Sequence, residues 1–286
     1  MISVAQMLSE RFPAFDRKPL LFRKAVVGLL RLLLCERRIN DFMRFADGHS
    51  GLDFNDCIIE YLNVRYGVLG HEHIPANGPV VIVANHPLGA LDGSALIQLV
   101  SQVRPDVRMV VSDVLLQFGP ARDILLPVDN LSGRSNRSNV DGIDAALARG
   151  EVVIIFPSGE VSRATPRGIR DGMWRTGFLR VAARARAPIL PVHIDGRNSL
   201  GFYAWSMLYK PMAMLLLARE IFGNHSIRLP ITIDRPIPWE EVESWQLSQP
   251  AAAAQLRRHI YRLRPNRRKR RALLNQAALG KLRIVQ

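Results

Sequence analysis

Short apolar runs rich in β-branched residues alternate with helical patterns through the middle of the chain. The runs predict strands at 79–85, 107–112, 123–129, 151–157, 188–195 and 227–234. Helical spacing of apolar residues occupies several of the intervals, at 93–103, 139–149 and 173–186. Strands that alternate with helices in this way build parallel βαβ pairs. The pattern therefore predicts an α/β fold, with a mixed, largely parallel sheet flanked by helices.

A strongly apolar stretch precedes this pattern. Residues 18–38 predict one helix, on which Lys24, Gly28, Arg31 and Cys35 form a narrow stripe among Leu, Val, Ala and Phe. Arg31 interrupts the run well before the ~18 uninterrupted apolar residues that a membrane-spanning helix needs. Two interpretations remain open. The helix lies on a bilayer surface with its basic edges at the headgroups, or it packs against its own domain.

A second apolar stretch covers residues 202–222. Lys210 and Pro211 interrupt it, and the proline predicts a kink in a helix there. The stretch fits a core helix, a membrane-facing helix or the wall of an apolar tunnel. The patterns divide the chain into an N-terminal helical, membrane-associating segment (1–64), an α/β domain (65–237) and a C-terminal helical basic tail (238–286).

The positive charge of the chain is concentrated near its C-terminal end. The sequence holds 39 Lys and Arg against 25 Asp and Glu, a net charge of +14. Residues 255–286 contain eleven Lys and Arg and no acidic residue, so the rest carries 28 basic and 25 acidic residues. A tail of this charge predicts a polyanionic partner, either anionic lipid headgroups or nucleic acid.

Composition narrows the class of protein further. Hydrophobic residues make up 48% of the chain, enough for a sizeable core. Cys35 and Cys57 have no paired spacing, which excludes a disulfide scaffold and a thiolate metal site and suits a reducing compartment. His71 and His73 could ligate zinc, but no cysteine or further histidine follows at motif spacing, which favours solvated loop histidines.

The candidate chemistry lies in "VANHPLGALDG", residues 83–93. The preceding strand should deliver Asn85 and His86 to the carboxyl end of the sheet, where open α/β sheets place ligand sites. Proline at position 87 keeps His86 out of the helical region. Gly89 and Gly93 allow tight turns, and Asp92 precedes a helical pattern.

Asp92 has two compatible interpretations. It is a helix N-cap, or it also fixes the tautomer and orientation of the nearby imidazole. A neutral histidine held in this way is a general base that takes a proton from an alcohol or amine.

The motif "NHPLGALDG" resembles the first sequence block of the lysophospholipid (glycerolipid) acyltransferases. That family has Asn-His, four residues and then Asp, whereas five residues separate His86 from Asp92 here. The same spacing resembles a hemolysin-like or ornithine-lipid-type branch of the family. Three later segments resemble the remaining blocks in order, "DILLPVDN" (123–130), "IFPSGEVSR" (155–163) and "ILPVHIDGRNS" (189–199). On these four blocks the chain is identified as a member, over roughly residues 65–237.

The resemblance implies transfer of a fatty acyl group from a coenzyme A or acyl carrier protein thioester to a lysolipid, in membrane lipid biosynthesis. His86 would be the general base and Asp92 would orient it. Backbone N–H groups around Gly159 would stabilise the oxyanion. We expect no metal and no cofactor, because the thioester is already activated. We expect no acyl-enzyme, because no nucleophile-elbow pattern such as Gly-x-Ser-x-Gly occurs.

The resemblance also implies a set of substrate-binding residues: Asn85, Gly89, Asn130, Arg134, Phe156, Pro157, Ser158, Gly159, Glu160, Arg163 and Pro191. Two of them depart from the family pattern. Asn130 stands near the place of an arginine that grips the acceptor's phosphate, and Ser158 occupies the usual glutamate position. Either the nearby arginines replace that anion contact or they form a solvated basic loop; they are Arg134, Arg137, Arg163 and Arg167.

The acceptor and the partners of the tail stay open. O-acylation of a lysophospholipid is one option, and acylation in an aminoacid-lipid pathway of the ornithine-lipid type is the other. A protein that binds nucleic acid through its tail is a reading from a different class. Tyr261 is the only aromatic residue in the basic stretch 255–286 and no binding motif occurs elsewhere, so nucleic acid is disfavoured. We expect a peripheral or monotopic protein on the cytoplasmic face of the inner membrane, bound to anionic lipids.

Overall fold

A computed structural model describes residues 3–112, 119–128, 137–166, 168–208, 210–223 and 226–278. Three of the residues singled out from the sequence, Asn130, Arg134 and Arg167, lie outside these ranges.

Seven strands of the described residues form one sheet. With the two strands of a separate ribbon, the described strands are nine: β1 (Val64–Leu69), β2 (Val80–Ala84), β3 (Val107–Ser112), β4 (Leu125–Val128), β5 (Val152–Ile155), β6 (Arg163–Thr165), β7 (Gly168–Arg170), β8 (Ile189–Ile194) and β9 (Ile227–Ile233). Their order in the sheet is β1-β9-β8-β2-β5-β3-β4, and β6 and β7 pair separately as an antiparallel ribbon. Strands β8, β2, β5, β3 and β4 run parallel, β9 is antiparallel to β8, and β1 is parallel to β9. The predicted mixed, largely parallel α/β fold is confirmed.

Helices cover both faces of this sheet. They are α1 (Val4–Arg11), α2 (Leu20–Leu33), α3 (Glu36–Phe45), α4 (Gly51–Tyr61), α5 (Ala90–Ser101), α6 (Arg137–Ala148), α7 (Gly177–Ala185), α8 (Leu200–Leu208), α9 (Lys210–Gly223), α10 (Trp239–Ser244), α11 (Gln249–Arg262) and α12 (Arg267–Ala278).

Strand β2 shows how the sheet separates two apolar clusters. All of its residues are buried, and successive side chains point to opposite faces. Val80 and Ile82 join the cluster that includes α4 and α5, whereas Val81 and Val83 join the cluster that includes α6, α7 and α11. A strand buried on both faces needs a continuous β-branched run, which "VVIVA" supplies.

The C-terminal helices pack against this domain. Leu256 and Ile260 of α11 are fully buried in the second cluster, and Leu273 of α12 is buried where that helix contacts β1 and β9. A Cβ added to Gly67 in β1 would overlap the backbone of Leu273, so the strand and the helix touch directly. The segment 238–286, predicted as a basic tail, is helical and basic in its described part. Its helices α11 and α12 pack against the sheet, so the packed domain extends beyond residue 237.

The long helix predicted at 18–38 is wrong in one respect. The helix is interrupted between α2 and α3, because Cys35 adopts a left-handed conformation with φ of 52°. No residue of α2 is fully buried, and Leu21 is 82% exposed. Among the described helices, none combines the length and the apolarity needed to cross a bilayer.

The second apolar stretch divides into α8 and α9 at the predicted interruption. Pro211 falls in the first turn of α9, where its missing N–H costs no helical hydrogen bond. Strand β1 and the β6–β7 ribbon were not predicted. The apolar alternation of β1 is broken by Gly67, and each strand of the ribbon has only three residues.

Candidate active site

Asn85 joins the ends of two neighbouring strands at the carboxyl edge of the sheet. Its Nδ2 donates to the Ile194 carbonyl at 2.8 Å, and its Oδ1 accepts the Ile194 N–H at 2.8 Å. The side chain is buried. The amide therefore ties the end of β2 to the end of β8 and fixes the start of the loop that carries His86.

His86 lies against a fully buried carboxylate. Nδ1 of His86 is 3.2 Å from Oδ2 of Asp92, whose side chain is 0% exposed. Nδ1 of His86 is buried and has no hydrogen-bond partner among the described residues, so this contact lacks the geometry of a hydrogen bond. Catalytic hydrogen bonds are often misaligned before substrate binds and tighten in the complex.

The loop between the two residues closes around the same carboxylate. Oδ2 of Asp92 also accepts the N–H groups of Leu88 at 2.7 Å and Gly89 at 3.1 Å. Gly89, with φ of 82°, is the N-cap of α5, and Asp92 stands three residues later. The interpretation of Asp92 as the N-cap is therefore wrong, although its carboxylate does serve the first turn. Gly93 lies inside α5, where a Cβ would overlap Met109.

Burial and hydrogen bonding act in opposite directions on Asp92. Removal from water raises the pKa of the Asp92 carboxyl, while His86 and the two backbone N–H groups oppose that rise. Oδ1 has no partner among the described residues. The carboxylate is thus held almost entirely through Oδ2, the oxygen that faces the imidazole.

The imidazole of His86 is oriented by an aromatic ring as well. It stacks on Phe156 with ring centroids 4.1 Å apart and an interplanar angle of 27°. The His86 side chain is 18% exposed and its Nδ1 is buried. Nε2 is therefore the ring nitrogen that a substrate can reach.

A second buried carboxylate, which no motif of the sequence singles out, holds the backbone of His86. Asp171 Oδ1 accepts the His86 N–H at 3.2 Å, and the Ser162 N–H donates to the His86 carbonyl at 2.8 Å. The Ser162 hydroxyl donates to the same Oδ1, which closes a ring of hydrogen bonds. Trp174 Nε1 donates to Asp171 Oδ2 at 2.9 Å. Only the fold brings Asp171 to His86.

Helix α11 reaches this carboxylate from the C-terminal part of the chain. The backbone N–H of Asp171 donates to the Tyr261 hydroxyl at 2.7 Å, and the Arg257 guanidinium donates to the Asp171 carbonyl. Burial raises the pKa of the Tyr261 phenol, so the hydroxyl stays neutral. The support of the His86 loop therefore includes the helix that leads into the basic segment.

The loop after β5 brings predicted site residues to the same edge. Their polar groups already form hydrogen bonds or ion pairs within the loop. The Gly159 N–H, expected to serve an oxyanion, donates to the Phe156 carbonyl at 3.0 Å. The Ser158 hydroxyl donates to the Glu160 carbonyl at 2.7 Å. Glu160 is 3.5 Å from the guanidinium of Arg163.

For three other predicted residues, the structure describes positions or contacts that do not involve the His86 side chain. Pro191 pairs with Val83 inside the sheet and is buried, so it does not reach the carboxyl edge. Pro157 is buried, and its carbonyl accepts the Arg175 N–H at 2.9 Å. Arg137 begins α6.

The two histidines of "GHEH" contact neighbouring protein groups. His73 Nδ1 is 3.1 Å from the Ile233 carbonyl, and His71 is 3.1 Å from the carboxylate of Glu72. Within the ranges that the structure describes, no group of three His, Cys, Asp or Glu residues could hold a metal ion.

The fold and the site define an α/β enzyme with a His–Asp pair at the carboxyl edge of its sheet. A family model described as Acyltransferase matches residues 6–266. The chain is 31% identical to the lyso-glycine lipid O-acyltransferase of Phocaeicola vulgatus over 75% of its own length and 79% of that protein. It is also 31% identical to the enzyme of the same name from Bacteroides thetaiotaomicron, over 76% and 82% of the two chains.

The chain therefore belongs to the glycerolipid acyltransferase family and is an acyltransferase of lipid metabolism. Among solved structures, the 1-acyl-sn-glycerophosphate acyltransferase of Thermotoga maritima superposes with a TM-score of 0.48 and 16% identity. That superposition covers 92% of this chain and 99% of the other.

Proposed function

We propose that this acyltransferase moves a fatty acyl group from a thioester to the hydroxyl of a lysolipid, with His86 as general base and Asp92 as its orienting carboxylate. The observation that carries the proposal is the contact between Nδ1 of His86 and the fully buried Asp92, at 3.2 Å. The thioester is that of coenzyme A or acyl carrier protein, and neither a metal nor a cofactor takes part.

The geometry supports one order of proton transfers. Asp92 favours the tautomer with a proton on Nδ1, which leaves Nε2 free to accept a proton from the acceptor hydroxyl. The acceptor oxygen attacks the thioester carbonyl, and the carboxylate stabilises the imidazolium that forms. When the tetrahedral intermediate collapses, the carbon–sulfur bond breaks and the leaving thiolate takes the proton from Nε2. The base is thereby restored.

The negative charge on the tetrahedral intermediate needs preorganised donors. The N–H of Gly159 is occupied by the Phe156 carbonyl in this conformation. For Gly159 to serve the oxyanion, this loop must turn its peptide when substrate binds.

Two observations favour an aminoacid lysolipid as the acceptor. Both relatives named above are lyso-glycine lipid O-acyltransferases. The second block carries Asn130 near the place of the arginine that grips a phosphate in typical lysophosphatidate acyltransferases. A lyso-aminoacid lipid is therefore the first acceptor to test, and lysophosphatidate is the second.

The N-terminal helices support binding to a membrane surface. Apolar side chains on and around α1 and α2 are exposed, namely Met7, Phe12, Leu20, Leu21, Phe22, Leu29 and Leu32. Arg17, Lys18 and Lys24 lie among them in the sequence, as in helices that rest at an anionic bilayer surface. We place the protein on the cytoplasmic face of the inner membrane, where both substrates meet.

An acyl-transfer assay tests the proposal. Purified protein receives a radiolabelled acyl thioester with lyso-glycine lipid, lyso-ornithine lipid or lysophosphatidate, and His86→Ala serves as the blank. We expect a labelled product that depends on His86, with the highest kcat/KM for an aminoacid lysolipid. Equal product from folded His86→Ala, or no product with any of these acceptors, would refute the proposal.

A further inference from the structure

A cavity of about 280 Å³ lies beside the loop that carries His86. Leu88 and Leu91 form one wall, and the segment after β8, the end of α9 and the start of β9 form the others. Because β9 runs antiparallel to β8, its start lies at the same edge of the sheet as the end of β8. The cavity therefore opens at the edge where His86 lies.

The cavity wall carries more positive charge than its carboxylates neutralise. Arg197, Arg228 and Arg270 line it, together with Asp195 and Glu220. Asp195 is already paired with Arg270 at 2.5 Å and with a further arginine of the C-terminal segment at 3.8 Å.

Glu220 is occupied as well, and two of the arginines are not. Glu220 accepts the N–H of Ser199 at 2.8 Å and its hydroxyl at 2.6 Å. Within the described part of the chain, Arg197 and Arg228 form no ion pair, and both are exposed. Neither carboxylate is paired with Arg197 or Arg228, and the charged groups of the lining sum to one net positive charge, three arginines against two carboxylates.

The arginine-bearing wall is joined to the catalytic loop by direct contacts. Asn198 Nδ2 donates to the Pro87 carbonyl at 3.0 Å. A Cβ on Gly196 would stand 2.9 Å from Leu88 and 3.3 Å from Pro87, so only glycine lets the two segments approach this closely. An anion held here is therefore held at a fixed position relative to His86.

We infer that this cavity binds the anionic headgroup of the acceptor lipid, a carboxylate or a phosphate, through Arg197 and Arg228. Planar guanidinium groups bind both anions with paired hydrogen bonds. The inference rests on the proposed function. The second block lacks the family's anion-binding arginine, and the inference assigns that contact to Arg197, after β8, and to Arg228, in β9. Headgroup binding at this place would direct the acceptor hydroxyl towards Nε2 of His86.

The test compares steady-state kinetics of the wild type, the double variant Arg197→Gln/Arg228→Gln and the control Arg180→Gln. Arg180 is an exposed arginine of α7, on a helix that packs on the other cluster. Each protein is assayed with lyso-glycine lipid, with its uncharged methyl ester and with lysophosphatidate. Arg270 is left intact because it holds Asp195.

We expect the double variant to raise the KM for an anionic acceptor by about tenfold or more, with kcat within about twofold. The KM for the methyl ester and for the acyl donor should stay unchanged, and Arg180→Gln should match the wild type. Whether the carboxylate or the phosphate acceptor shows the effect identifies the headgroup. An equal rise for the ester, or a rise for the donor alone, would overturn the inference.

Equilibrium binding separates this inference from the proposed chemistry. Lyso-glycine lipid and lysophosphatidate are titrated into His86→Ala with and without the two arginine substitutions. Weaker binding of either lipid by about tenfold supports the cavity even if no acceptor is turned over. Identical affinities for both lipids in the two proteins would contradict it.

Discussion

At the scale of single residues, Asp92 combines two costs that a structural carboxylate would avoid. It has no access to water, and its Oδ1 has no hydrogen-bond partner among the described residues. A buried charge with an unused oxygen destabilises the fold. The proposed role of Asp92 accounts for this cost, because its carboxylate faces Nδ1 of His86.

The first prediction concerns Asp92→Asn. Asparagine can still accept the N–H groups of Leu88 and Gly89, but it cannot stabilise an imidazolium. We expect kcat to fall by about 10²–10⁴-fold. Because burial raises the pKa of Asp92, its ionised form costs folding free energy above that pKa, and the neutral amide removes this cost.

Asp92→Asn should therefore unfold at neutral pH with a free energy no lower than that of the wild type. Denaturant titration and the acyl-transfer assay measure the two quantities on one preparation. Asp53→Asn, at an exposed position of α4, is the matched control. Wild-type turnover by folded Asp92→Asn would be incompatible with its role.

The second prediction concerns His193 in β8. Burial lowers the pKa of His193 from 6.5 to about 4. Two smaller effects oppose each other, because Asp195 raises this pKa and Arg264 lowers it. Between these two values the unfolded chain binds a proton that the folded chain does not. Stability should therefore fall as pH drops from about 6.5 to about 4, by up to about 3 kcal/mol.

His193→Gln should flatten this part of the pH–stability curve, and His49→Gln, at an exposed position, should leave it unchanged. Urea unfolding at a series of pH values measures both curves. The same steep loss in His193→Gln would show that other groups cause it.

At the scale of elements, the packing of α12 on β1 depends on a position without a side chain. Gly67→Ala would place a methyl group against the backbone of Leu273. Because a backbone cannot rotate away as a side chain does, the helix must shift. We expect a loss of about 1–3 kcal/mol in the free energy of unfolding.

Gly28→Ala is the matched control for that substitution. Apart from its chain neighbours and the backbone of its own helix, no atom of the described residues lies within 4 Å of a Cβ at Gly28, which stands inside α2. Alanine there should leave stability unchanged or raise it by up to about 1 kcal/mol. If Gly67→Ala were equally harmless, α12 would not be fixed against the sheet.

Individual elements also show what the sequence can and cannot predict. The six predicted strands were located to within about two residues, because β-branched runs bounded by Gly and Pro are local signals. The break at Cys35 was missed, since nothing in its neighbours requires a left-handed residue. The contact between Asp171 and His86 was missed because it spans 85 residues and exists only in the folded chain.

At the scale of the whole molecule, the basic residues in the described part of 255–278 lie on or between two helices that pack against the domain. Leu273 and Ala277 of α12 are buried, while the basic positions at its start and centre are mostly exposed. Deletion of residues 264–286 would remove α12 and uncover β1 and β9. Charge reversal is the cleaner experiment.

A further prediction concerns the charge of α12, in a variant with Glu in place of Arg267, Arg268, Lys269 and Arg271. Each basic side chain near an anionic surface contributes about 1 kcal/mol of binding at low salt. We expect co-sedimentation with anionic vesicles to fall steeply, with little change on neutral vesicles and an unchanged unfolding transition. Undiminished binding at physiological salt would place membrane contact on the N-terminal helices alone.

The double hydrogen bond of Asn85 to Ile194 limits which side chains position 85 accepts. The site demands one donor and one acceptor, presented together at the reach of a single methylene group. Aspartate has no donor, and glutamine is one carbon too long. The single hydroxyl of serine is too short to bond to the Ile194 carbonyl and N–H together. A library that randomises this codon and is screened for folded, active protein should therefore return asparagine, although both polar groups of the side chain are used by Ile194.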